Sequence, residues 1–191
     1  MMSPAHYIVL KRPFVSGESL VLIGPGGVGK STLGREIARQ SGWPMIDLDL
    51  TFCDRIQDIT AYIAVHGYDA YRAANLGLAK DLLASIAQPT IFVTSSGFMA
   101  APPDSDDYRD ALALVRSGYS ITLLPSLDLA KATDIVVARQ LTRGFGFEWE
   151  SEAAKFQRRF PIYRPLGDML VVSTAPAEET AAAILSRLLR N

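Results

Sequence analysis

One stretch of the chain combines glycines, a lysine and two hydroxyl side chains at a spacing that suits phosphate binding: Gly24-Pro25-Gly26-Gly27-Val28-Gly29-Lys30-Ser31-Thr32. It fits the pattern G-x-x-x-x-G-K-[ST] without a mismatch. Glycines let the backbone turn tightly and point its N–H groups at phosphate oxygens, and the helix that follows presents its positive dipole end. We therefore expect this loop to cradle the phosphates of ATP.

Each of the last three residues of the loop has a separate expected role. Lys30 can reach the β- and γ-phosphates, and the Ser31 hydroxyl can ligate Mg²⁺. Thr32 is expected in the first helical turn, near the α-phosphate. The flanking pattern supports the motif, because the apolar run 20–23 suits a buried strand and the residues after Thr32 have helical periodicity.

Composition limits the class of protein. A chain of 191 residues with 49% hydrophobic residues suits a single domain, 1–191, with a full core. The net charge of -1 argues against nucleic acid as a partner. Cys53 is the only cysteine, and His6 and His66 are too far apart in sequence to indicate a metal cluster. No apolar run has the length of a membrane span, so we expect a cytoplasmic protein. We also expect a monomer that binds a small-molecule substrate.

Strands alternate with helices along the chain, which predicts an α/β fold. Five apolar runs favour buried strands of a parallel sheet with helices on both faces, the P-loop NTPase fold: 20–23, 44–48, 90–93, 120–124 and 169–173. A sixth run, 7–10, is predicted at the edge of the sheet.

Two further segments have a distinct character. Residues 51–87 are rich in helix-forming patterns, broken near His66-Gly67, and we assign them to substrate binding. Residues 140–152 mix glycines, aromatic residues and charges without clear periodicity, which is typical of a mobile lid over an active site. Helices are expected over 152–160 and 177–190.

Polar residues follow three of the predicted strands, where ligands bind in a parallel sheet. Besides the phosphate loop, these are Asp47 with Asp49 and the turn Ser95-Ser96-Gly97. Asp47 is expected to hold Mg²⁺ through a water, and Asp49 to orient or deprotonate an attacking hydroxyl. The alternative is that one aspartate caps the next helix while the other is solvated.

These motifs together resemble the shikimate kinases. The family has a phosphate loop, an Asp-x-Asp after the second strand, and a Gly-x-x-x-[FY]-Arg segment, matched here by Gly67-Tyr68-Asp69-Ala70-Tyr71-Arg72. Its later Arg-x-Pro-x-Tyr motif is similar to Arg159-Phe160-Pro161-Ile162-Tyr163. The resemblance implies ATP-dependent conversion of shikimate to shikimate 3-phosphate, a step in aromatic amino acid biosynthesis.

The resemblance also implies roles for individual residues. Asp49 would contact substrate hydroxyls, and Arg72 and Arg159 would grip the substrate carboxylate, which a planar guanidinium matches bidentately. Arg139 falls where the family has its adenine-stacking arginine. Arg143 falls at the lid arginine, where it could neutralise the transferring phosphoryl group.

The chain departs from the family in two segments. Because of these departures, substrates other than shikimate are possible phosphoryl acceptors. Ser95-Ser96-Gly97 replaces a Gly-Gly-Gly turn that lies against the substrate ring, and Arg143-Gly144-Phe145-Gly146 replaces Arg-Pro-Leu-Leu in the lid. A kinase of another sugar, sugar acid or nucleoside, or a non-catalytic nucleotide-binding module, is the alternative. A nucleoside monophosphate kinase is disfavoured because two aspartates would repel a phosphate acceptor.

Overall fold

The computed structural model describes residues 6–142, 146 and 148–189. The strands within them are β1 (His6–Leu10), β2 (Leu20–Ile23), β3 (Met45–Asp47), β4 (Ile91–Val93), β5 (Tyr119–Leu124) and β6 (Met169–Ser173). The helices are α1 (Lys30–Ser41), α2 (Leu48–Arg55), α3 (Ile59–His66), α4 (Tyr68–Ala84), α5 (Asp106–Val115), α6 (Leu129–Leu141), α7 (Trp149–Tyr163) and α8 (Ala177–Leu188). None of these described helices has both the length and the apolar character that a bilayer span requires.

The strands form one sheet in the order β1-β6-β5-β2-β4-β3. The strands β3, β4, β2, β5 and β6 run parallel, as predicted. β1 adds a sixth, antiparallel strand, with Ile8 opposite Val171. The prediction of five strands is therefore one strand short, although segment 7–10 does lie at the edge. A short apolar run does not reveal by itself which strand it will pair with.

Helices cover both faces of the sheet. This explains why all four residues of the strand β2 are apolar. Successive side chains of a strand point to opposite faces. Leu20 and Leu22 pack in one hydrophobic cluster with residues of α1, α6, α7 and α8, whereas Val21 and Ile23 pack in another with residues of α4 and α5. All four side chains are almost completely buried. A strand covered on both faces needs an uninterrupted apolar run, which is what the sequence contains.

The carboxyl ends of three neighbouring strands bring the polar segments together. The phosphate loop follows β2, Asp47 ends β3, and Ser95 and Ser96 follow β4. A Cβ atom placed on Gly26 would lie 3.4 Å from the Ser96 Cβ atom, so the loop and the turn after β4 are in contact. The site expected at this edge of the sheet is therefore assembled by the strand order.

Part of the segment that was predicted as a lid, 140–152, is helical. Residues 140 and 141 belong to α6, and 149–152 begin α7, so these two ends of the predicted segment 140–152 are helical. Residues 143–145 and 147, including the predicted lid residue Arg143, lie outside the described residues.

Helix α7 is longer than predicted, since it continues from Phe160 through Pro161 to Tyr163. A proline usually ends or kinks a helix because it lacks an N–H group. Here the side chains of Phe160 and Tyr163 are both buried, and this burial keeps the last turn of the helix against the core. The continuation matters for the site because the Tyr163 hydroxyl contacts the backbone of the turn that follows β4.

A polar cluster at the amino ends of β5 and β6 ties the N-terminal segment to the sheet. The Asp168 carboxylate accepts hydrogen bonds from the Ser120 N–H at 2.9 Å and the Ser120 hydroxyl at 2.8 Å. It also pairs with Arg12 Nε at 3.0 Å, and Arg12 in turn pairs with Glu18 at 2.7 Å. Burial alone would raise the pKa of Asp168, but the hydrogen bonds from Ser120 and the Arg12 charge outweigh burial and hold that pKa below 3.8.

Replacing Asp168 with asparagine should lower the free energy of unfolding at pH 7 by about 1.5–3 kcal/mol, the range for hydrogen bonds to a charged group. Because the folded-state pKa is depressed, the stabilisation by Asp168 is fully present above 3.8 and is lost as the pH falls through the lower folded-state value. Urea unfolding of wild type and Asp168→Asn should therefore differ less at about pH 2.5 than at pH 7. Asp134→Asn, at an exposed position of α6, is the control. An equal difference at both pH values would contradict this account.

Candidate active site

The phosphate loop is held in a conformation that only glycine adopts readily. Gly24, Gly27 and Gly29 have φ angles of 149°, 76° and 100°, all in the region that disfavours L side chains. Space is also short, because a Cβ atom on Gly24 would lie 2.8 Å from the Leu123 carbonyl oxygen. Helix α1 starts directly after Gly29, with no acidic residue in its first turn and no side chain of the described residues capping it. Its first N–H groups are therefore suited to an anion.

Lys30 lies against the same loop. Its side chain is buried, and Nζ donates hydrogen bonds to the carbonyl oxygens of Gly24 at 2.7 Å and Pro25 at 3.0 Å. These contacts hold the ammonium charge over the loop. The positive charge and the α1 N-terminus thus act on the same region of space.

The two carboxylate oxygens of Asp47 lie in different surroundings. Oδ1 caps α2 by accepting from the N–H groups of Asp49 at 3.1 Å and Leu50 at 3.3 Å. The capping alternative considered for this pair is therefore correct for Asp47. Oδ2 is buried and has no hydrogen-bond partner among the described residues. A buried carboxylate oxygen of this kind can accept from a metal-bound water, so the cap and a metal-holding role are compatible.

Asp49 lies in the first turn of α2 and contacts Tyr71, to which the sequence analysis gave no role of its own within the motif 67–72. The Tyr71 hydroxyl donates to Asp49 Oδ1 at 3.3 Å. Burial, and then the Asp49 charge, raise the pKa of Tyr71 far above its usual value, so the hydroxyl stays protonated and remains a donor. A signal was available in the sequence, because a buried tyrosine generally needs a partner for its hydroxyl.

The turn after β4 is tied down by side chains from two helices. Ser95 is buried, and its hydroxyl donates to Asn75 Oδ1 on α4 at 2.9 Å. The Tyr163 hydroxyl, at the end of α7, donates to the Ser96 carbonyl oxygen at 3.2 Å and accepts from the Met99 N–H at 3.1 Å. Sequence reasoning found Ser95 and Ser96 but neither Asn75 nor Tyr163 as residues that shape this turn.

The two arginines of the predicted carboxylate clamp flank Gly97. Arg159 donates to the Tyr68 hydroxyl from Nη2 at 3.0 Å, and the same nitrogen lies 3.2 Å from the position of a Cβ atom on Gly97. Arg72 lines a narrow pocket together with Gly97 and Asp107. The Arg72 guanidinium pairs with Asp107 at 3.4 Å and with Asp69 at 3.3 Å. Sequence reasoning found the two arginines but not these acidic partners.

A second cavity, of about 270 Å³, adjoins the phosphate loop on the side of α6 and α8. Arg139 lines it together with Gly27, Gly29, Thr32 and Ala177. The arginine expected at the adenine therefore lies beside the loop expected at the phosphates. The neighbouring Gln140, which sequence reasoning missed, packs on the loop itself, because a Cβ atom on Gly27 would lie 3.0 Å from Gln140 Cγ.

The phosphate loop joins β2, a strand inside the parallel part of the sheet, to the first helix, α1. This arrangement defines a P-loop nucleotide-binding protein. Sequence comparison narrows this class, because the sequence model of the shikimate kinase family matches residues 26–189. The chain belongs to the shikimate kinase family, as its motifs predicted.

Individual relatives agree with this assignment. The chain is 28% identical to a shikimate kinase of Xanthomonas euvesicatoria, over 87% of this chain and 90% of the relative. It is 35% identical over 71% of its length to the pentafunctional AROM polypeptide of Clavispora lusitaniae, but spans only 8% of that polypeptide. Its fold is similar to that of a shikimate kinase from Acinetobacter baumannii in complex with shikimate, with a TM-score of 0.72 and 20% identity over 92% of this chain and 95% of that one.

Gly27→Ala and Gly29→Ala separate the effects of backbone strain and of crowding in the loop. Both place a side chain at positive φ, which costs about 1–2 kcal/mol. At Gly27 the new Cβ atom would also lie 2.8 Å from Val136 Cγ1, whereas at Gly29 no atom of a described residue beyond its chain neighbours lies within 4 Å. Gly27→Ala should therefore lower the free energy of unfolding by about 1–3 kcal/mol more than Gly29→Ala does, as measured by urea denaturation. Equal losses for the two variants would mean that the loop can move away from α6.

Proposed function

We propose that this chain is a kinase that transfers the γ-phosphoryl group of ATP to a hydroxyl group of shikimate. The observation that carries the proposal is the position of Asp49. Its carboxylate follows a strand at the same edge of the sheet as the phosphate loop, and a protonated Tyr71 holds it in place at 3.3 Å. A nucleotide-binding protein without an acceptor would need no such carboxylate.

On the donor side, the loop residues and α1 would bind the phosphates, with Lys30 neutralising charge that develops during transfer. Arg139 would stack on the adenine in the cavity that it lines with Thr32. Ser31 and Asp47 would hold Mg²⁺, and the unpartnered buried Oδ2 of Asp47 suits this role. When bound, Mg²⁺ neutralises charge on the phosphate oxygens.

On the acceptor side, Asp49 would accept the proton of the substrate hydroxyl as the oxygen of that hydroxyl attacks the γ-phosphorus atom. The bond from phosphorus to the bridging oxygen breaks, and ADP leaves with the electron pair. The proposed role of Arg143, in the lid segment, is to neutralise the transferring phosphoryl group.

Arg72 and Arg159 would bind the acceptor carboxylate from the two sides of Gly97. Both guanidiniums already contact protein groups, Arg72 two aspartates and Arg159 the Tyr68 and Ser96 hydroxyls. A carboxylate that enters would share or replace these contacts. It would gain charge-assisted hydrogen bonds, which are stronger than those between neutral groups.

One observation favours a second candidate, a kinase of a neutral polyhydroxylated compound such as a sugar or a nucleoside. Asp69 and Asp107 already balance the Arg72 charge, so the attraction of this arginine for an anion is weakened. The alternative leaves the donor side and Asp49 unchanged and differs only at the clamp.

Asp49→Asn tests the proposed reaction, because it removes charge and basicity with almost no change in shape. We expect kcat for shikimate phosphorylation to fall roughly 10²–10⁴-fold, the usual contribution of a general base, with little change in ATP affinity. A coupled assay of ADP release and a nucleotide-binding titration measure the two quantities. Asp54→Asn, at an exposed position of the same helix, should behave like wild type. An unchanged kcat, or a loss confined to ATP binding, would remove Asp49 from the acceptor site.

Arg72→Met and Arg159→Met test the clamp and separate the two candidate functions. Each variant should weaken shikimate binding by about 1.5–3 kcal/mol, while methionine keeps part of the packing of the stem. A carboxylate-free analogue of shikimate should bind wild type weakly and lose little more in the variants, so ligand change and substitution should be strongly non-additive. Isothermal titration supplies the affinities, and Arg187→Met, exposed on α8, is the control. If wild type phosphorylates the neutral analogue as well as the acid and neither substitution affects turnover, the neutral acceptor is the better assignment.

A further inference from the structure

Two buried N–H groups of α4 have no hydrogen-bond partner among the described residues. They are Nε of Arg72 and Nδ2 of Asn75. The two residues are one helical turn apart, so their side chains are neighbours on the same face of the helix. Both line the narrow pocket that also includes Ser95, Gly97 and Asp107. Buried donors without a partner are rare in folded proteins, so these two call for an acceptor that can reach them.

The contact with Ser95 determines which atom of the Asn75 amide has no hydrogen-bond partner. The Ser95 hydroxyl donates to Asn75 Oδ1 at 2.9 Å, so the amide oxygen is satisfied and the NH₂ group is the part without a partner. Asn75 is only 2% exposed, so bulk water does not satisfy this donor. The glycine that the family has in place of Ser95 carries no hydroxyl with which to fix the amide. Ser95 and Asn75 thus function as a pair.

The size and lining of the pocket suit a small acceptor of hydrogen bonds. Its volume of about 10 Å³ suits one water-sized group, so one oxygen of a larger molecule can enter it. Asp107 contacts Nη2 of Arg72, which leaves Nε to another acceptor. Two N–H donors favour an oxygen that carries negative charge.

We propose that Asn75 is a specificity-determining residue for the acceptor, whose Nδ2, fixed by Ser95, donates a hydrogen bond to one oxygen of the substrate carboxylate beside Arg72 Nε. This inference rests on the proposed function, because it requires a carboxylate at the clamp. It adds a recognition group that the family motifs do not contain. Asn75 contacts no reacting atom and acts on binding alone.

Asn75→Asp is the test, because it keeps the shape of the side chain and replaces the donor NH₂ by an acceptor oxygen. We expect KM for shikimate, and the dissociation constant measured without nucleotide, to rise roughly 10- to 100-fold, the effect of losing a hydrogen bond to a charged group. KM for ATP should stay within about twofold and kcat should be largely kept, because uniform binding is what is lost. Gly77→Ala is the matched control, because Gly77 is exposed on the same helix and a Cβ atom there would meet no described residue within 4 Å apart from the helix backbone.

The carboxylate-free analogue of shikimate distinguishes recognition from a merely structural role. A carboxylate introduced at position 75 lies beside Arg72 Nε, which favours its ionised form, so it would accept from that arginine and repel the substrate carboxylate. Binding of shikimate by Asn75→Asp should therefore weaken, while binding of the analogue should change little. A structural defect would lower thermal stability and kcat together and would weaken the binding of both ligands. If Asn75→Asp does not fold, Ser95→Ala, which frees the amide, should raise KM for shikimate and leave KM for ATP unchanged.

The outcomes separate this inference from the proposed function. Normal turnover of shikimate by wild type, together with an unchanged KM for shikimate in Asn75→Asp and in Ser95→Ala, would overturn the inference alone. A defect in Asn75→Asp that is equal for shikimate and its carboxylate-free analogue would also overturn it. Absence of shikimate turnover by wild type would overturn the proposed function, and the inference with it.

Discussion

The close approach of the phosphate loop to β5 and α6 is the constraint on which the rest of the site depends. Gly24 lies against the Leu123 carbonyl of β5 and Gly27 against the Val136 side chain of α6, so packing on the sheet and on α6 sets the course of the loop. That course fixes where α1 begins and where the Lys30 ammonium lies. At Gly26 the loop packs on the Ser96 side chain in the turn after β4. The spacing between the donor and acceptor sites therefore depends on how closely these segments pack together.

Features that depend on neighbouring residues in sequence were predictable. The phosphate loop, the parallel strands and the position of Asp47 and Asp49 after β3 all follow from local patterns, and strand order brings them together. Features that depend on distant partners were not. The Tyr71 contact to Asp49 and the Ser95 contact to Asn75 join segments far apart in the chain. Helix α7 passes Pro161 because buried contacts outweigh the local preference to end the helix there.

The positive side chains on the donor and acceptor sides have different partners. Lys30 donates hydrogen bonds to two carbonyl oxygens of the loop. Arg72 is paired with two aspartates, and Arg159 contacts two hydroxyls. The two aspartates weaken the attraction of Arg72 for an anion, so recognition at the clamp depends more on hydrogen-bond geometry than on net charge.

The antiparallel strand β1 determines which residues form one edge of the sheet. It covers β6 along its length, from His6 opposite Ser173 to Leu10 opposite Met169. At the other side of the sheet, β3 has three residues and passes directly into α2. Long unpaired strand edges act as templates for strands of other molecules, whereas short or covered edges do not. A sheet of five parallel strands would leave the edge of the mostly buried strand β6 unpaired. With β1 in place, β6 becomes an interior strand and the edge of the sheet moves to residues that are half-buried or exposed, without β1 contributing a side chain to the site.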